Sequence, residues 1–183
     1  MSQVSRAKSL SKVLNPVFEA GEADAAVALL LKSTDQVLKV FLVKRVETPT
    51  DPWSGQMSLP GGKRDAKDEN LKQTVVRETL EETNINLLYR CHFLGLMKPL
   101  RSTLRPEMKI LPFVVLLDHE PAIKLNEELK WFVWIPLEEL AQKESTVKFD
   151  FGEFPAYHVG NSVIWGLTYR ILKKLFKILG YPN

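Results

Sequence analysis

The sequence predicts a single α+β domain, and three observations carry that prediction. Short runs rich in aliphatic, β-branched and aromatic residues recur at 25–31, 37–46, 110–117 and 131–135, which is strand patterning. Helical spacing is confined to a few segments, the longest at 161–179. The two kinds of segment do not alternate as a strand–helix–strand repeat, which excludes a doubly wound parallel sheet. With 183 residues, 45% of them apolar and 26% charged, the chain is long enough to bury a sizeable core.

Residues 1–24 read as an N-terminal helix or arm, because 5–17 has weak helical spacing, and residues 25–183 as the domain proper. Ala25 to Leu31 is an unbroken small and aliphatic run, the mark of a buried strand. Ser33-Thr34-Asp35 supplies a turn into a second strand, Val37 to Val46. Two prolines make Glu47 to Ser54 a loop, and Gln56 to Leu59 a short strand that enters Pro60-Gly61-Gly62. Ile85 to Met97 is expected to form one or two strands, and Ile110 to Leu117 another, with Pro112 suggesting an edge or irregular start. Trp131 to Ile135 is a strand, after which Pro136 opens a short helix through Leu140. Asn161 to Leu179 forms the last helix, stopped by Gly180. Its apolar stripe (Trp165, Ile171, Leu172, Leu175, Leu179) is expected on the sheet, with a homodimer contact as the second reading.

The chemistry concentrates at Arg77-Glu78-Thr79-Leu80-Glu81-Glu82. Glu78, Glu81 and Glu82 stand at i, i+3 and i+4, so one helical face carries three carboxylates that repel one another. Val76, Leu80 and Thr83 are then expected on the opposite, packed side. A divalent cation with oxygen ligands removes the repulsion and gives the cluster a use. An ordinary acidic helix is the competing reading. Against it stand the arginine directly before the first glutamate and the Pro-Gly-Gly turn, whose backbone can approach a ligand at a strand end. Gly61 and Gly62, with Lys63 and Arg64 behind them, are therefore candidate substrate contacts, and Arg45 at the end of its strand is another.

Residues 61–85 resemble the Nudix box, G-x5-E-x7-R-E-U-x-E-E-x-G-U with U a bulky aliphatic residue. Glu69 lies eight positions before Arg77, as in the box, but Gly62 is one residue too far from it; either the loop carries an extra residue or Asp68 replaces the first glutamate. Thr79 stands where an aliphatic residue is usual, and Asn84 replaces the closing glycine, keeping a residue that tolerates a left-handed helix end. The resemblance implies a mixed sheet sandwiched between helices, and metal-dependent hydrolysis of a nucleoside diphosphate linked to another group. It implies Mg²⁺ or Mn²⁺ on Glu78, Glu81 and Glu82 and a water attacking phosphorus. It further implies that Arg77 positions a carboxylate, with Glu69 as the matched partner, and that Glu82 or Glu128 serves as general base. Trp53 to Gly62 and Ile164 to Thr168 resemble the coenzyme A pyrophosphatase branch, whereas that branch's Leu-Leu-Thr-x-x-Ser-x-x-x-Arg signature has no counterpart where Phe41 to Arg45 leads into Glu47-Thr48-Pro49. A catalytically silent, nucleotide-binding sensor on the same fold is the alternative.

The remaining features exclude more than they assign. A net charge of +3 is too small for a nucleic-acid footprint, and no apolar run is long enough for a membrane span. Cys91 is the sole cysteine, which rules out an internal disulfide and favours a reducing, cytoplasmic setting. Its apolar neighbours make it an inert thiol rather than a nucleophile. Trp53 and Tyr157 are candidates to stack on a base or to fill the core, and His92, His119 and His158 lack metal-ligand spacing.

Overall fold

The computed structural model describes residues 3–19, 22–49 and 53–181. Among the described residues four α-helices, α1 (Gln3–Ser9), α2 (Leu71–Thr83), α3 (Leu137–Ala141) and α4 (Gly166–Leu179), and two short 3-10 turns accompany eleven strands. In order these are β1 (Ala25–Thr34), β2 (Val37–Arg45), β3 (Met57–Ser58), β4 (Gly61–Lys63), β5 (Cys91–Leu96), β6 (Leu100–Arg101), β7 (Lys109–Leu117), β8 (Leu129–Pro136), β9 (Glu144–Phe149), β10 (Gly152–Val159) and β11 (Ser162–Trp165). The first eight form one mixed sheet and the last three a small antiparallel sheet.

β1 is the spine of the large sheet. It pairs in parallel with β7 over its length, Ala25 opposite Ile110 to Lys32 opposite Leu117. Both strands read as unbroken apolar runs because both faces are covered. Ala26, Ala28 and Leu30 pack towards α2 with Phe41, Val43, Leu71 and Val75. Leu29 and Leu31 pack the other way, with Leu42, Tyr157, Leu172 and Phe176. The expected sandwich is therefore present. The N-terminal segment belongs to it, since Ala7, Leu10 and Leu14 are buried in the second cluster. Arg6 donates to the carbonyl oxygen of Leu179, 3.1 Å from Nε, and lies over the Tyr181 ring.

One irregularity of the sheet places the site. β2 pairs with β1 only from Val37 to Val40, then diverges; its end pairs instead with β3, Val43 opposite Ser58. The start of β1 pairs with β4, Val27 opposite Gly61. The segment 57–63 is thus wedged between two strands that splay apart, held by the Ala28 amide donating to the Pro60 carbonyl at 2.8 Å. Gly61 is required here: its φ is 137°, and a Cβ would stand 2.3 Å from the Ala26 carbonyl oxygen.

Several expectations are corrected. Pro112 lies in an interior strand, but at a break: β5 pairs with β7 from Phe113 onward and β6 from Ile110 back, and between them only the Pro112 carbonyl is used, by the Met97 amide. Residues 84–90 carry no strand, so of the one or two strands expected over 85–97 there is one. The last helix begins at Gly166, because 162–165 is β11, and the hairpin β9–β10 before it had no sequence assignment at all. The α4 stripe is buried within the chain, which removes its use as a dimer face. Leu80 was expected on the packed side of α2 but is 43% exposed. Leu71, Thr74, Val75, Thr79, Glu82 and Thr83 form the buried face instead. The carboxylate ridge and the packing ridge overlap, so Glu82 is folded into the protein rather than turned from it.

Candidate active site

Asn70 caps α2 by accepting from the Gln73 amide at 3.1 Å, and Asn84 ends it in a left-handed conformation, φ 62°. With both ends fixed, the helix lies beside the 57–63 wedge. Glu82 is 6% exposed and accepts a hydrogen bond from the Gly61 amide at 2.8 Å. Burial pushes its carboxyl up to about 8; the Gly61 amide opposes this, the Glu78 charge adds to it, Arg45 lowers it and Glu128 raises it. Glu78 is also raised, chiefly by burial and against the pull of Arg77. A Cβ on Gly62 would fall 2.5 Å from the Glu78 carboxylate, so glycine lets that carboxylate reach the cleft. The turn meets Glu82 through the Gly61 N–H, which donates to its carboxylate.

Arg45 comes from the diverging end of β2 and lies between two carboxylates, 4.0 Å from Glu82 and 3.6 Å from Glu128. Glu128, reached by the 126–128 turn, is 63% exposed at the rim. These groups share a cleft of about 260 Å³ with Gly61, Gly62, Lys63 and Trp53. The far wall is Thr103, Leu104, Met108, Trp165 and Leu167. Of that wall, only Trp165 and Leu167 lay in a motif that could be matched; the 102–108 loop has no periodic or compositional mark. Tyr157 is a core residue, 1% exposed, and Cys91 is an inert thiol raised to about 11 by burial.

Arg77 clamps the loop to the helix. It donates Nε to Asp68 Oδ1 at 3.0 Å and Nη2 to Asp68 Oδ2 at 2.8 Å, a bidentate pair. It also donates Nη1 to Glu78 at 2.8 Å and to Glu81 at 3.2 Å. The Arg77 hydrogen bonds hold Asp68 well below the usual carboxylate range, and Asp68 in turn raises Arg77. Glu69, the residue matched by spacing, is not its partner; it is exposed and accepts from the Gln73 side chain at 3.0 Å. Asp68 takes the place of the first glutamate, and the extra residue is absorbed in the turn leading to Asn70. Arg64 is likewise corrected: it donates to the Asp68 and Glu69 carbonyls and braces this loop outside the cleft. Glu81 sits on the outer side of Arg77, 57% exposed. Among the described residues no three acidic, histidine or cysteine side chains are gathered tightly enough to hold a metal ion; Glu78 and Glu82 face the cleft and Glu81 does not.

Comparison with known proteins agrees with this geometry. The NUDIX domain model matches residues 21–156, most of the chain. The chain belongs to the Nudix hydrolase family. Named Nudix relatives include the Caenorhabditis elegans peroxisomal coenzyme A diphosphatase ndx-8, 32% identical over 92% of this chain and 74% of that protein. The human mitochondrial coenzyme A diphosphatase NUDT8 is 30% identical over 86% of this chain and 70% of its own length. Both bear out the resemblance to the coenzyme A pyrophosphatase-like branch. An uncharacterized Schizosaccharomyces pombe protein is 38% identical over 76% of this chain, which spans less than half of it, 42%. Among solved Nudix structures, RenU from M. smegmatis shares the fold with a TM-score of 0.60 at 16% identity, 86% of each chain being covered. The NUDIX domain of Shewanella oneidensis NrtR complexed with ADP ribose matches 74% of this chain and 86% of that domain, at 27% identity and a TM-score of 0.50. Among the described residues no helix is long and apolar enough to cross a membrane.

Proposed function

We propose that this Nudix hydrolase is a divalent-cation-dependent pyrophosphohydrolase of nucleoside diphosphate derivatives, with coenzyme A-type compounds as its substrate class. The observation that carries the reading is the apposition, in one cleft, of the buried Glu82 and half-buried Glu78 carboxylates, a glycine turn without side chains and an arginine between Glu82 and Glu128. The donor set fits Mg²⁺ or Mn²⁺: hard oxygen ligands, two of them carboxylates that burial raises despite Arg77 beside Glu78 and Arg45 beside Glu82. Glu78 and Glu82 would hold the ion; Glu81 could join them only by leaving Arg77, on whose outer side it lies. When bound, such an ion neutralises charge on the phosphoryl oxygens while water attacks in line.

The chain's own residues supply the rest. Gly61 fixes Glu82 through its amide, and Arg77 fixes the rotamer of Glu78. Arg45 holds the rim carboxylate Glu128 against the cleft and offers positive charge to a phosphoryl oxygen. Glu128 is the residue we assign as proton acceptor from the attacking water, because it is solvent-accessible where Glu82 is committed to the Gly61 amide. Lys63 attracts the substrate's phosphates at the rim. The two coenzyme A diphosphatases among the relatives support the substrate class. The ADP ribose complex of a similar domain supports nucleoside diphosphate binding and is equally compatible with a silent sensor. A single half-buried thiol suits a reducing compartment, the cytoplasm by the simplest reading, although two relatives carry peroxisomal and mitochondrial names.

The test is product-resolved hydrolysis with Mg²⁺ or Mn²⁺ across coenzyme A, NADH, ADP-ribose, dinucleoside polyphosphates and nucleoside triphosphates. Coenzyme A should be split to 4′-phosphopantetheine and adenosine 3′,5′-bisphosphate, and Glu128→Gln should lower kcat about 100-fold with KM retained. Nucleotide binding without turnover of any compound would select the sensor.

A further inference from the structure

Beside the cleft lies a second hollow that shares Gln56, Leu104 and Trp165 with it and adds Lys44, Phe149 and Phe151. One wall of this hollow is a pile of aromatic rings. Phe149 and Phe151 lie face to face, 5.1 Å between centroids and 4° between planes. Trp165 is 4.6 Å from Phe149, and Phe154 is 5.5 Å from both Trp165 and Phe151. The rings come from the β9–β10 hairpin and from the end of β11, so the small sheet itself forms the wall. A mini-core under the hairpin would explain Phe149, Phe154 and Trp165. It leaves Phe151 unexplained, because that ring is 64% exposed at the hairpin tip, beside the hollow.

We propose that this aromatic wall stacks the nucleobase of the substrate, with Lys44 meeting a phosphate carried on its ribose. The proposal rests on the reading of the cleft as a pyrophosphohydrolase site and specifies which half of the substrate goes where. The reacting phosphates lie by Gly62, Glu78 and Glu82, and Trp165 links that region to the wall. A nucleobase has a flat π face that gains from such a platform. The alternative half of a coenzyme A-type compound, a flexible chain of amides and methylenes, has no flat face to stack. Charge points the same way, because Lys44 is the ionisable residue lining the second hollow and forms no ion pair among the described residues. The β-strand alternation that sends Arg45 to Glu82 and Glu128 sends Lys44 to the opposite face of β2, where the hairpin sits.

The test measures binding of reaction products to the whole protein by calorimetry, with adenosine 3′,5′-bisphosphate, AMP and 4′-phosphopantetheine as probes. Phe151→Ala should weaken both nucleotides about 10-fold and leave phosphopantetheine unchanged. Phe151→Trp should restore nucleotide binding. Lys44→Met should weaken the bisphosphate but not AMP. Circular dichroism and thermal melting of each variant establish that the fold is retained, which exposure of Phe151 favours. Unchanged nucleotide affinity in a folded Phe151→Ala protein overturns the proposal. So does a loss confined to phosphopantetheine, which would give the wall to the other half. The failures are separable: a wild-type protein that turns nothing over while the wall binds nucleotide sinks only the hydrolase reading. One that cleaves coenzyme A with unaltered Phe151→Ala kinetics and affinity sinks only the wall.

Discussion

Exchanging the two adjacent acids before α2 separates sequence spacing from tertiary geometry. Spacing gives Arg77 to Glu69; the fold gives it to Asp68. Asp68 is 6% exposed and accepts two charged hydrogen bonds from Arg77, at 3.0 and 2.8 Å, and a third from the Asp65 amide at 2.9 Å. Breaking one partner of a buried pair costs about 3–5 kcal/mol. Arg77 is 31% exposed, so water recovers part of that loss, and about 2–3 kcal/mol is the expected cost of Asp68→Asn. For a chain of this size each kcal/mol moves Tm by about 2–4 °C, which predicts a fall of about 4–12 °C. Glu69→Gln, an exposed change, should stay within about 0.5 kcal/mol. The sign with pH follows from Asp68 being held below its ordinary value by Arg77. The unfolded chain binds the extra proton first, so the stabilisation is complete above about pH 4 and is lost as pH falls below it. The gap in Tm between wild type and Asp68→Asn should therefore be full at neutral pH and shrink at acid pH. Equal losses from the two substitutions, or a larger one from Glu69→Gln, would refute the reasoning.

Other outcomes are expected from the same geometry. Glu82→Gln should lower kcat at least about 100-fold yet keep or raise Tm in a chelating buffer, since an amide still accepts from the Gly61 N–H without burying a charge; wild-type turnover would show the site to be misplaced. Thr79→Val should raise stability by about 1 kcal/mol, read as Tm, because the buried Thr79 hydroxyl has no partner among the described residues; a loss would mean that it is satisfied in solution. Leu80→Asp should fold normally and cost under about 0.5 kcal/mol in urea melts, whereas Val75→Asp on the buried face should abolish folding; the reverse would mean the helix faces the other way.

The sequence by itself determined the parts that depend on local spacing. The unbroken apolar runs of β1 and β7, the carboxylates on one turn of α2, the left-handed stop at Asn84 and the glycine turn before the helix were all legible, because each rests on backbone preference or on a period of two or 3.6 residues. Tertiary structure decided whatever depends on what a segment meets. Which of Asp68 and Glu69 faces Arg77 is set by how a loop one residue longer folds back onto α2. Whether Thr79 or Leu80 is buried depends on which side of the helix the sheet covers, and at this helix the packing ridge runs through Glu82. The β9–β11 sheet escaped notice because β9 is mostly exposed and polar, Pro155 interrupts the pattern of β10, and the four residues of β11 run directly into α4. The wall it builds gathers Phe149, Phe151, Phe154 and Trp165 from the β9–β10 hairpin and the end of β11, and no local period foretells that gathering.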